Sequence, residues 1–250
     1  MDRPFVSDDK AATHGHPSYV WRFGQDRRLG LIQRWAPLEG RRVLDVGCGL
    51  GAYVRQMRAF TPEVYGIEID HERAAEAGRA LGLIATATAE ALPFPTASFD
   101  VVLSHEMIEH VADDRQTIAE ALRVLRPGGR LVLFCPNRLY PFETHGHFWR
   151  GRYHEGNTPL INWLPDALRQ RLAPHVRAYT SRDLRRLFVG LPARIVYHTQ
   201  IYPGYDKIVR ARPRLGRWLR RITYALEGTP LRAFGLSHFL VAERTASHPA

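Results

Sequence analysis

Between residues 43 and 136 the chain repeats one pattern. Short apolar runs, VLDV, EVYGIEI, LIATATA, FDVVLSH and GRLVLFCP, alternate with stretches of about a dozen residues whose apolar positions recur at helical spacing. The runs predict strands, and the stretches AYVRQMRAF, HERAAEAGRALG and DRQTIAEALRVL predict helices. Asp70 is placed to cap the second helix, and Pro127 and Gly128 to halt the third. Strands apolar on both faces and joined by helices pair in parallel beneath helical layers. The prediction is a doubly wound α/β fold. Upstream, residues 18–36 read as an amphipathic helix ended by Pro37 and Gly40. Downstream, residues 137–163 lose all periodicity, as a lid or binding loop does. The rhythm resumes with a capped helix in YTSRDLRRLF and strands in ARIVYHTQIY and SHFLVAER.

The 250 residues are 45% hydrophobic and 24% charged, an ordinary soluble composition. Cys48 and Cys135 sit far apart in apolar runs, which suits reduced, buried thiols better than a disulfide framework or a zinc site. The polar start MDRPFVSDDKAATHGHPS and the absence of a long apolar run predict a cytoplasmic protein. The net charge of +10 is mostly arginine in the second half. Charge alone does not choose among polyanions.

Gly47, Gly49 and Gly51 follow the first strand where a chain turns into a helix and backbone must approach a ligand. The run satisfies the dinucleotide pattern as well as a G-x-G-x-G pattern. Asp45, immediately before the turn, separates the two. Against a pyrophosphate a carboxylate is repulsive by about 4 kcal/mol per like-charge pair at 4 Å and an effective dielectric near 20. S-adenosylmethionine instead brings an ammonium and a sulfonium. Glu68 ends the next strand, where an adenosine ligand needs an acceptor for its ribose diol.

These residues resemble the class I S-adenosylmethionine-dependent methyltransferases. VLDVGCGLG is similar to that family's first motif and VYGIEID to its second. AEALPFPTASFDVVLSHEMIEHV is similar to the stretch around its fourth strand, and EALRVLRPGGRLVLFCPN to its fifth strand and preceding helix. Within the family, HEMIEHV, RPGG and PNR resemble the ubiquinone-biosynthesis type of O-methyltransferase. The resemblance implies a mostly parallel seven-stranded sheet of Rossmann-like methyltransferase type. It also implies S-adenosylmethionine as cofactor. Asp45, Gly47, Gly49 and Gly51 would cradle its methionine end, Glu68 would take the ribose, and Ile69 would pack on adenine. Ala89 and Glu90 would flank the base, and Ser104 and His105 would end the fourth strand beside the methyl group. Thr88 departs from the Asp that family members often carry at this position.

The chain is thus expected to be one domain over residues 1–250. It comprises an N-terminal helical segment (1–40), a cofactor-binding core (41–137), an acceptor lid (138–180) and a basic insertion (203–235) before the last strand. Methyl transfer is an in-line displacement that needs mainly alignment and exclusion of water, plus a base where the acceptor carries a proton. His145 in FETHGHFW is the first candidate base, followed by His147 and His105.

HEMIEH places its histidines five residues apart, about 140° around a helix, so they do not form a zinc-protease pair. Glu106, Glu109 and His110 would share a helical face. In the resembling O-methyltransferases such a trio is associated with a divalent metal. A polar helix start forming one wall of the acceptor pocket is the favoured reading, and no metal is assigned.

In RLGRWLRRITYAL, Leu215, Trp218, Leu219, Ile222 and Leu226 fall on one helical stripe and Arg214, Arg217, Arg220 and Arg221 on the other side. With Lys207, Arg210 and Arg212 this makes residues 207–226 a basic amphipathic segment of the kind that lies on anionic membranes. The alternative is a stripe packed on the domain with its arginines in water. The expected acceptor is a small or lipid-linked molecule methylated at oxygen, and no specific nucleic acid is expected. The rival readings are a non-catalytic cofactor-binding module that docks at membranes and a nicotinamide-dependent oxidoreductase.

Overall fold

The structure, a computed structural model, describes residues 20–246. Residues 1–19, which hold the polar N-terminal run and the first part of the expected 1–40 segment, and residues 247–250 lie outside them. The first helix, α1, spans Phe23–Trp35. The cofactor core then runs β1 (Val43–Val46), α2 (Ala52–Met57), β2 (Val64–Glu68), α3 (His71–Leu81), β3 (Ile84–Thr86), β4 (Phe99–His105), α4 (Asp114–Val124) and β5 (Leu125–Pro136).

Seven strands form one sheet. Strands β3, β2, β1, β4 and β5 are consecutive neighbours and parallel. β11 (Ser237–Arg244) pairs antiparallel with β5 on one side and with β10 (Ala193–Ile201) on the other. Only β11 runs against the rest. This is the doubly wound, mostly parallel sheet that the alternation predicts.

Side chains alternate along β5 and so divide the core into two layers. Leu131, Leu133 and Cys135 join Ile118, Leu122 and Leu184 on one face of the sheet. Val132 and Phe134 join Ile32, Tyr53 and Met57 on the other. Burying a side chain of this size contributes roughly 1.5–3 kcal/mol. Both cysteines are free and buried. Asp70 caps α3 as predicted, accepting from the amides of Glu72 and Arg73 at 2.9 and 3.2 Å.

Residues 138–180 are more ordered than their missing period predicts. They hold β6 (Phe142–Glu143) paired with β9 (Thr158–Pro159), and a hairpin of β7 (His147–Trp149) and β8 (Arg152–His154). Helix α5 (Asp166–Leu172) follows, and then α6 (Ser181–Leu187). Arg150 and Gly151 at the hairpin tip both have positive φ, +50° and +75°, the geometry that matches the twist of a two-residue turn. The aromatic runs either side of an Arg-Gly pair were the signal for it.

The insertion contains α7 (Asp206–Ala211) and α8 (Pro213–Leu226). Its inward face is not the apolar stripe. Gly216 is buried against Val209, Arg220 pairs with Asp206 at 2.9 Å, and the Tyr224 hydroxyl donates to the Pro203 carbonyl at 3.2 Å. Leu215, Trp218 and Ile222 remain 41%, 58% and 40% exposed. This removes the packed-stripe alternative for those three residues, and it turns Arg220 from solvent into a partly buried ion pair. Among the described residues no helix is long and apolar enough to cross a membrane.

Candidate active site

The parallel strands deliver their carboxyl ends to one edge of the sheet, the edge where open α/β folds bind ligands. β1 and β2 lie in register, with Asp45 beside Gly66 and Val46 beside Ile67. Their two acidic residues, Asp45 and Glu68, therefore emerge together, and both are buried. The amides of Gly47 and Cys48 both donate to the Ile67 carbonyl at 2.9 Å, which folds the glycine turn over β2. Glu68 is held by that turn, accepting from the Gly49 amide at 2.8 Å and from the Asp70 amide at 3.1 Å. Gly47 has φ +78°, and a Cβ there would meet Met107 Cγ at 2.4 Å. Only glycine fits.

Burial, and then the neighbouring Glu68 carboxylate, push the Asp45 carboxyl up to about 7. Among the described residues no cation forms a salt bridge with Asp45. The protein has placed two acids together at a turn whose backbone is arranged for a ligand. A cationic ligand relieves that repulsion, whereas a diphosphate would worsen it.

Ser104 and His105 end β4. Ser104 is buried, with an Oγ that has no hydrogen-bond partner. His105 is held by a residue that the sequence did not single out. From α1, the Arg28 guanidinium donates to His105 Nε2 at 2.7 Å, to Glu106 Oε1 at 2.7 Å and to Ser237 Oγ at 2.8 Å. The Tyr53 hydroxyl lies 3.1 Å from the same imidazole nitrogen. Burial first and Arg28 second pull His105 down to about 3. Its Nε2 lone pair is engaged and the ring stays neutral. The expectation of His105 as a base therefore changes: the arrangement suits a positioning group instead.

The HEMIEH stretch is a turn rather than a helix, with Glu106 at φ +50°. The helical-face argument for a trio of Glu106, Glu109 and His110 fails with it. Although burial opposes ionisation, Arg28, His105 and Ser237 hold the Glu106 carboxyl down to about 2. Glu106 is committed to Arg28 and Ser237, so the trio as such does not fit a metal. Glu109 turns the other way. Its side chain is fully buried and both oxygens lack hydrogen-bond partners. His145 Nε2 lies 3.7 Å and His110 Nε2 4.0 Å from Glu109 Oε1.

The remaining predicted residues separate. Ile69 is half exposed at the end of β2, and Ala89 is buried. The Glu90 carboxylate accepts from the amides of Ala112 and Asp113 at 2.9 and 3.4 Å, which commits it to the loop before α4. His147 lies 3.0 Å from Thr158 Oγ1 and stacks on His154, apart from the cluster around His145. A cavity of about 550 Å³ opens between α1, the loop after β5 and the insertion, lined in part by Arg28, His105, Tyr140, Tyr202, Tyr205 and Tyr224.

Residues 44–133 match the family model described as a methyltransferase domain. Fold and glycine turn, with this match over residues 44–133, are like those of a Rossmann-like methyltransferase domain, and the likeness implies S-adenosylmethionine as cofactor. The nicotinamide reading is set aside. The chain is 38% identical over 156 residues to the ubiquinone biosynthesis O-methyltransferase of Mesorhizobium japonicum, a match covering 60% of this chain and 57% of that protein. It is 40% identical over 117 residues to the 27-O-demethylrifamycin SV methyltransferase of Amycolatopsis mediterranei, covering 43% and 42%. The chain thus spans about half the length of these curated relatives.

Among solved structures, an S-adenosylmethionine-dependent methyltransferase from Mesorhizobium loti superposes with a TM-score of 0.61 at 21% identity, covering 86% of this chain and 96% of that one. The [4+2]-cyclase SpnF superposes at 0.58 and 20% identity, covering 91% and 84%. These identities speak to fold alone. Since a cyclase shares the fold, the reaction has to be argued from the site.

Proposed function

We propose that the protein transfers the methyl group of S-adenosylmethionine to an oxygen of a small or lipid-linked acceptor. The observation that carries this reading is the buried Asp45 and Glu68 pair at the glycine turn, an arrangement suited to a cationic adenosine ligand. The adjoining cavity supports an acceptor with an apolar or aromatic body and a negative group, because tyrosine rings line it together with Arg22, Arg27 and Lys207. The likeness to a ubiquinone biosynthesis O-methyltransferase favours a quinone precursor. Asp45 draws in the sulfonium donor, Arg28 and His105 orient the acceptor, and the 138–180 segment covers the site against water. Of the three candidate bases only His105 is held by Arg28, and His147 keeps the base role open where the acceptor carries a proton. Incubation with methyl-labelled cofactor and fractionated lipid and polar extracts should label one acceptor class. Cofactor binding without turnover on any fraction would favour the non-catalytic module instead.

The exposed stripe of Leu215, Trp218 and Ile222, flanked by exposed Arg214, Arg217 and Arg221, supports a second element of this reading: docking on an anionic membrane surface. Sedimentation with vesicles of neutral and of anionic lipid tests it. Binding should need anionic lipid, weaken with salt, and fall in Trp218→Ala and Arg217→Glu. Binding that is absent or salt-insensitive removes the membrane element.

A further inference from the structure

We propose that Glu109, His110 and His145 form a binding site for one divalent cation of the zinc class. The ligands are Glu109 Oε1 and the Nε2 atoms of the two histidines. This set differs from the one implied by family resemblance, because His145 stands where Glu106 was expected. Among the described residues these three ligand atoms lie within 4.8 Å of one another. A tetrahedral ion with bonds near 2.1 Å separates its ligands by about 3.4 Å. The observed separations of 3.7 and 4.0 Å close to that value by small side-chain movements.

The outer contacts set both rings for metal. His110 Nδ1 donates to the His175 carbonyl at 3.3 Å. His145 Nδ1 donates to Glu143 Oε1 at 3.1 Å, and Glu143 is itself held by the buried Arg169 at 2.8 Å. Each Nδ1 therefore carries the proton, and each Nε2 turns its lone pair toward Glu109. Histidines bound to metals are oriented in this way, by a carboxylate or carbonyl behind the ring. A shared proton would draw one nitrogen to within about 3.2 Å of the carboxylate. Neither is that close. Two lone pairs thus face a fully buried carboxylate whose oxygens have no hydrogen-bond partner, and a cation would satisfy all three.

Two imidazoles and one carboxylate favour borderline first-row metals over magnesium or calcium, which prefer all-oxygen shells. Three protein ligands leave one position open for water or an oxygen ligand. Glu109 and His110 also line a second cavity of about 1270 Å³, which provides an entry path. His145 belongs to the 138–180 segment and Glu109 to the turn after β4, so the ion would clamp that segment to the sheet edge.

Cobalt(II) is the probe, titrated into chelator-stripped protein without cofactor or acceptor, so that failure here leaves the methyl-transfer reading intact. One equivalent should bind with the strong visible absorption of four- or five-coordinate cobalt, and zinc should displace it. Glu109→Gln and His145→Ala should each weaken binding at least 100-fold, whereas His147→Ala, two residues on at the start of the hairpin, should leave it unchanged. Glu106→Gln should keep the spectrum wherever thermal melting shows a cooperative fold. If Glu109→Gln does not fold, His145→Ala on its partly exposed loop carries the test. The assignment is overturned if no cobalt binds, if the affinity is the same in the His145 variant, if folded Glu106→Gln loses the spectrum, or if millimolar magnesium competes cobalt away.

Discussion

Replacing Asp45 with asparagine removes one negative charge and almost no volume. A unit charge brought within about 4 Å of that carboxylate, at an effective dielectric near 20, gains about 4 kcal/mol. The variant should therefore bind S-adenosylmethionine on the order of 10³-fold more weakly. The wild-type affinity should also depend on pH. Asp45 titrates at about 7 in the folded protein, and only its ionised form attracts the donor. The dissociation constant should thus rise about tenfold from pH 8 to pH 6.

The same shift reduces stability. The folded-state value lies above the ordinary 3.8, so between these values the folded protein holds a proton that the unfolded chain has released. Stability from this group is full below about 4, declines as pH rises, and levels off above about 7, a loss of about 4 kcal/mol in all. Asp45→Asn should therefore melt higher than wild type at pH 8 and alike near pH 4, trading cofactor binding for stability. Calorimetric titration at pH 6, 7 and 8 measures the affinities, and the asparagine variant at the same pH values reports the ligand's own amine. A variant that binds within threefold of wild type, or a flat wild-type profile, would refute the electrostatic account.

Arg28→Ala should leave buried Glu106 uncompensated and cost about 3–5 kcal/mol in denaturant unfolding. Gly47→Ala should force Met107 aside and strain a positive-φ turn, costing about 1–3 kcal/mol in thermal melts and weakening cofactor binding at least tenfold. Burial, followed by His238, pulls His198 down to about 3. Neutral His198 therefore supports the fold above about 6.5, and that support is lost as pH falls toward 3. His198→Gln should shift the acid-unfolding midpoint, followed by circular dichroism, to lower pH.

Local pattern determined much of the fold. The alternation of apolar runs and helical stretches implied the parallel sheet, because the period of a segment depends only on neighbouring residues. It also located Asp45, the three glycines and Glu68, since a strand, its turn and the next strand's end are close in sequence as well as in space. Contacts between distant segments were not legible. Arg28 meets His105, Glu106 and Ser237 across 77, 78 and 209 positions, and no periodicity encodes such a meeting. Whether HEMIEH formed a helix or a turn decided which way Glu106 and Glu109 point, and the Arg28 ion pair goes with the turn. The hydrophobic stripe on α8 was visible in the sequence, but the face turned outward was not. Burial of Gly216 and the Arg220 ion pair with Asp206 decided it, because packing selects among the faces that a helix offers.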